Sequence, residues 1–161
     1  MNSDQATRDH VIALLTGKQA HMTFDDATAD FPPALINIKP PNVSYTCWHL
    51  IEHLRITQYD ILEYTRDPKY ASPEWPKGYW PSPDAQADMA MWNETIRQFR
   101  SDLAAMKAIV ADPNTDLYQP IPHGYEGHTV LREALLIADH NAYHIGELGI
   151  LRQVMGAWGQ H

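Results

Sequence analysis

The chain has 161 residues, 44% hydrophobic and 20% charged, a composition that fits one globular domain spanning residues 1–161 and built around a single core. Its formal charge is −8 and its Lys and Arg residues are scattered, which excludes the concentrated basic face that nucleic acid requires and argues against an anionic membrane surface. The single cysteine, Cys47, excludes an internal disulfide and fits a reducing cytoplasm; the N-terminus has no signal-peptide pattern, and no apolar run approaches the ~18 residues that span a bilayer.

Apolar periodicity predicts four helices, with proline-rich segments between them. The first runs from about Asp4 to Ala20 on a stripe of Val11, Ile12, Leu14 and Leu15, with Gly17 weakening its end. Residues 21–43 form a long connection with prolines at 32, 33, 40 and 41 and one short helical turn around Asp25–Asp30. Ser44 reads as the N-cap of the second helix, which Asp67-Pro68 ends after Arg66. Residues 67–82 then form an aromatic loop containing Trp75, Tyr79 and Trp80.

Ser82-Pro83 reads as an N-cap followed by proline at the first helical position, so the third helix is expected from Pro83 to about Ala111. A second loop, 112–128, leads to Thr129 as the cap of the fourth helix, which should run to about Met155. No strand is predicted: Ala34–Lys39 is a short apolar run between prolines. Helices of this length reach ~25–45 Å at 1.5 Å per residue. The expected fold is all-α, a four-helix bundle whose long connections allow an order other than up-down-up-down.

Two histidine pairs stand out. His140 and His144 are four apart and ~40° apart on a helical wheel, and Glu147 lies ~20° to the other side. All three share the apolar face of Leu136 and Leu151, where polar groups are costly unless bonded or ligating. On the second helix His49 and His53 repeat the spacing, and His53 is the one in line with Leu50, Leu54 and Ile61. His49 could be a neighbour, a supporting group or a surface residue. Three imidazoles from two helices would give an open site for zinc, nickel or iron, with Glu147 as a candidate fourth ligand or base.

Rival motifs fail. A zincin needs Glu directly after the first His, and Asn141 stands there; a carboxylate-bridged di-iron bundle needs Glu-x-x-His on two helices, and that spacing does not occur. Cys47 reads as a small buried residue. Asp139, Glu52, Asn141 and Tyr143 flank the histidines and could fix imidazole tautomers, although solvated or structural roles are the default. His123 and His128 read as surface loop residues, His10 and His161 as exposed, and His21 as a group closing the bundle end. The Trp75–Pro81 loop either walls a substrate pocket, with Trp75, Tyr79 and Trp80 touching substrate, or plugs the bundle end.

Cys47 through Gln58, the Trp75–Pro81 loop, and Thr129–Glu133 through Asp139–Glu147 together resemble the DinB-like superfamily of bacterial four-helix metal-binding proteins, which includes the YfiT-like proteins. The resemblance covers nearly the whole chain. It implies long crossovers between helix pairs and a metal held by one His from the second helix and two from a late helix. Those positions match His53, His140 and His144, with His49 extra to the pattern. It also implies helix-face homodimers and metal-dependent transfer to low-molecular-weight thiols such as bacillithiol or mycothiol, or thiol-dependent isomerisation. The leading expectation is therefore a metal-dependent thiol S-transferase acting on a small molecule. The alternatives are a metal-dependent hydrolase and a non-catalytic, metal-stapled binding protein connected with stress.

Overall fold

Helix α1 (Ser3–Thr16) stops short of Ala20 because Gly17 and Lys18 both take positive φ, 74° and 65°, which turns the chain out of the helical path. The computed structural model describes residues 3–159, so His161 lies outside the described residues. The short turn expected near Asp25 is α2 (Phe24–Thr28). A reciprocal capping box opens it, in which Thr23 Oγ1 accepts the Asp26 N–H and the Asp26 carboxylate accepts the Thr23 N–H.

Helix α3 spans Cys47–Arg66 and is capped by Thr46, not Ser44. Its capping box pairs Thr46 with His49: Thr46 Oγ1 accepts the His49 N–H at 3.1 Å, and His49 Nδ1 accepts the Thr46 N–H at 3.3 Å. Histidine here stands in for the usual Glu or Gln. Helix α4 spans Met89–Ala111, six residues later than the Ser82-Pro83 signal suggests, with Asp88 as its cap. Tertiary partners override the local signal. Ser82–Ala85 closes one turn, the Ala85 carbonyl is held by His49, and Asn37 bonds both the N–H and the carbonyl of Ala87. Helix α5 spans Val130–Val154 behind Thr129, as the sequence predicts. Among the described residues there is no strand, only an isolated antiparallel bridge between Pro120 and Thr129.

The four long helices form a bundle in which α1 and α3 each pack against both α4 and α5. Arg8 near the start of α1 donates to the carbonyls of Val110 and Asp112 at the end of α4, so these two run antiparallel. Cys47 meets Met155 at one end of the α3–α5 pair and Tyr64 meets His128 at the other, so they too are antiparallel. By contrast, Trp48 bonds Thr95, and Gln58, further along α3, bonds the Phe99 carbonyl further along α4. Helices α3 and α4 are therefore parallel. The connection between them must return along the whole bundle, and that crossover carries Tyr79 and Trp80 past the histidines.

Two apolar clusters fill the interior. Leu50, Ile51, Leu54, Trp92, Phe99 and Leu148 lie in one; Leu15, Leu62, Met106, Val110 and Ile137 lie in the other. Each fully buried side chain of this kind contributes about 1.5–3 kcal/mol of burial free energy. Arg152 is also buried. Its guanidinium satisfies the carbonyls of Ala27, Ala29 and Ala157 and lies 3.9 Å from the Trp158 ring, tying the end of α5 to the α2 region. No described helix is long and apolar enough to cross a membrane.

Candidate metal centre

His53 on α3 and His140 and His144 on α5 bring one ring nitrogen each within 4.8 Å of one another. His53 Nε2 and His140 Nε2 are 3.2 Å apart. Tetrahedral coordination with metal–nitrogen bonds of about 2.0–2.1 Å places ligand atoms ~3.3 Å apart, so this edge has the length a shared ion needs. Antiparallel packing of α3 on α5 brings the pieces together, and the i, i+4 spacing on α5 keeps its two rings on one side.

The outer nitrogens are already engaged. His53 Nδ1–H donates to the Tyr79 carbonyl at 2.7 Å, and His144 Nδ1 is 2.6 Å from the Glu147 carboxylate. Both bonds fix the tautomer that turns Nε2 toward the cluster, the carboxylate–histidine arrangement that supports metal ligands. The Tyr45 hydroxyl in turn donates to the other oxygen of Glu147. Trp80 lies flat on His53, which limits rotation of that ring.

Burial first, opposed by the Tyr79 bond, pushes the pKa of His53 below the ordinary value. Burial and then the His53 charge push His140 down to about 4. Burial, then His140 and His53, push His144 down as well. Burial raises Glu147. The rings are therefore neutral near pH 7 and present lone pairs, as ligation of a divalent ion requires. On distances, tautomers and charge, the three residues fit a metal.

The cluster opens on a cavity of about 570 Å³. Trp75, Tyr79 and Trp80 from the crossover form one wall and Leu136 and Tyr143 from α5 another, while Thr57 and Asp60 extend the α3 side beyond His53. The aromatic loop thus lies beside the histidines. It folds tightly: a Cβ on Gly78 would stand 2.5 Å from the Pro73 Cβ, so only glycine fits there without movement.

The family model of the DinB superfamily matches residues 16–148, most of the chain and all three histidines. The chain belongs to the DinB superfamily. No curated protein and no solved structure matches it significantly.

In this DinB-superfamily bundle His49 does not join the cluster. It is buried, its Nε2–H donates to the Ala85 carbonyl at 2.8 Å, and its Nδ1 serves the α3 cap, so both nitrogens are spent on structure. Glu52 bonds Arg55 and Thr95, Asn141 bonds Gln58, and Asp139 is exposed, so none of these fixes an imidazole. Tyr143 touches His144 only edge-on. His123 bonds the Tyr64 carbonyl, and His128 lies between Tyr64 and Glu133. His10 and His21 are exposed. Cys47 is fully buried, and burial, opposed by Arg152, pushes its thiol up to about 12, the state of an inert core cysteine.

Two supporting groups were invisible in the sequence. Tyr45 acts on Glu147 from 102 residues away, and the Tyr79 group that bonds His53 is a backbone carbonyl. Neither contact has a motif that could announce it.

Proposed function

We propose that this protein is a divalent-metal enzyme of the thiol S-transferase type, with His53, His140 and His144 as its protein ligands. The observation that carries the reading is an aromatic cavity bordering three neutral imidazoles, with no fourth His, Cys, Asp or Glu completing the group among the described residues. A closed four-ligand structural site would lack that open side. Zinc, nickel or iron suits the donor set. When bound, such an ion lowers the pKa of a thiol and makes thiolate available at neutral pH.

In this reading the chain's own residues bind and orient. Glu147 accepts a hydrogen bond from the Nδ1–H of His144 and Tyr45 holds Glu147, so the carboxylate positions a ligand rather than occupying the coordination sphere. The Tyr79 carbonyl and the Trp80 face do the same for His53. Trp75, Tyr79 and Trp80 shield the reacting end of a small-molecule electrophile from water. A reducing cytoplasm as the working compartment, supported by the unpaired Cys47, and a homodimer are parts of the same proposal.

Metal analysis of untagged protein should give about one divalent ion per chain by the three-ligand reading. A His140→Ala/His144→Ala double variant with unchanged metal content overturns the site. Thiol consumption with a panel of electrophiles tests the reaction. Turnover of esters or amides with no thiol consumed would replace the transferase with a hydrolase, in which metal-bound water is the nucleophile. No turnover of either kind would leave a metal-stapled binding protein.

A further inference from the structure

The cavity beside the histidines has a second polar end. His53, Thr57 and Asp60 follow one another at i, i+4 and i+7 on α3, and all three line it. Asp60 is 8% exposed. Its Oδ2 accepts the Tyr79 hydroxyl at 2.8 Å and the Tyr70 phenol interacts with the same carboxylate, while Oδ1 meets no donor in hydrogen-bond geometry. None of the ion pairs among the described residues includes Asp60.

Thr57 is unusual in the same way. The hydroxyls of Thr7, Thr16, Thr28 and Thr65 each donate to the carbonyl four residues earlier. The Thr57 hydroxyl is buried and makes no such bond. Four buried side-chain polar atoms lack partners among the described residues, and two of them, Thr57 Oγ1 and Asp60 Oδ1, belong to this one wall. A buried carboxylate without a cation is expensive, as is a buried hydroxyl without a bond, and their juxtaposition in a cavity wall marks a place for a ligand group.

We propose that Thr57 and Asp60 form a subsite for a protonated amine of the substrate. The proposal rests on the reading of the three histidines as the reacting end of the same cavity, and it adds the class of molecule that fits. Seven residues of helix separate Asp60 from His53 by about 10 Å along α3. The substrate is then an elongated small molecule with an ammonium group at one end, an apolar or aromatic body, and its reacting group about 10 Å away. The Asp60 carboxylate supplies the charge for the ammonium and Thr57 Oγ1 accepts a second N–H. Tyr79 and Trp75 offer ring faces along the way, and aromatic faces attract alkylammonium groups. Burial and then the Asp60 charge hold the Tyr70 phenol high, and burial followed by the Asp60 bond holds that of Tyr79 high, so the carboxylate's immediate neighbours are neutral donors and not competing cations.

The test uses 2-phenylethylamine, 2-phenylethanol and 3-phenylpropionate as probes, titrated calorimetrically into the full chain, both zinc-loaded and chelator-stripped. The wild type should bind the amine about 10-fold more tightly than the alcohol, and the propionate more weakly than either. Asp60→Asn, which keeps the size and an acceptor for Tyr79, should erase the preference for amine while leaving zinc content unchanged. Thr57→Val should weaken amine binding several-fold. Equal binding of amine and alcohol, no binding of any probe, or a preference that survives Asp60→Asn overturns the subsite. A lower melting temperature in Asp60→Asn with the preference intact would show that the carboxylate serves only Tyr79. Amine preference in a protein that takes up no zinc would sink the metal reading and leave the subsite standing.

Discussion

Trp80 and His53 stack face to face, with ring centroids 3.9 Å apart and planes within 4° of parallel. The contact joins the α3–α4 crossover to the innermost histidine, and the Tyr79 carbonyl reinforces it from the adjacent residue. The aromatic loop is thus a wall of the cavity and a brace for His53 at once.

That stack makes metal loading visible. Nickel(II) or cobalt(II) added to the stripped protein should quench the fluorescence of Trp80, which lies against a ligand ring, and Trp80→Phe should remove most of the quenching. Quenching of the same size in the variant would mean that the ion binds elsewhere.

His49 and His53 should respond in opposite ways to removal. His49→Ala loses the reciprocal half of the capping box, the acceptor of the Thr46 N–H, and leaves the Ala85 carbonyl unpaired, each worth about 1 kcal/mol, so the melting temperature should fall by several degrees with metal content unchanged. His53→Ala should lose the metal. Equal metal loss in the two variants would contradict the division of labour drawn from their hydrogen bonds.

Glu147→Gln should weaken metal affinity by about 10–100-fold, because the neutral amide holds the His144 Nδ1–H less strongly and no longer raises the basicity of the ring. Tyr45→Phe, one bond further out, should have a smaller effect in the same direction. Competition with a fluorescent chelator measures both; affinities within about 3-fold of wild type would count against the role given to Glu147.

Metal-free protein should lose stability as pH falls below the ordinary histidine value. Burial and His53 hold His140 at about 4, while the unfolded ring titrates near 6.5. Between those values the unfolded chain binds a proton that the native ring refuses, so stability drops with falling pH across that window and levels off below it. After a discount for partial exposure, His140 contributes on the order of 2 kcal/mol. His53 and His144 act in the same direction, and Glu147, raised by burial, acts in the opposite one. Denaturant unfolding of chelator-treated protein at pH 7, 6 and 5 reads the slope, and a flat profile would show that the rings are not held neutral.

Periodicity and punctuation in the sequence determined the four long helices and the spacing of His140, His144 and Glu147 on one face. These are local properties, set by 3.6 residues per turn and by which side chains can enter a core. The same local signals misplaced the starts of α3 and α4, because His49 completes a cap with Thr46 and because Asn37 and His49 hold residues 85–87 out of the helix. The apolar alignment of His53 and the family pattern already favoured it over His49, but only the tertiary structure showed what His49 does instead, since both are buried on one helix and their difference lies in partners brought by the crossover. It alone put Tyr45 on Glu147, Trp80 on His53, and the partnerless oxygens of Thr57 and Asp60 in the wall of the same cavity. Those contacts join residues up to 102 positions apart, and no periodicity along the chain encodes a distance across it.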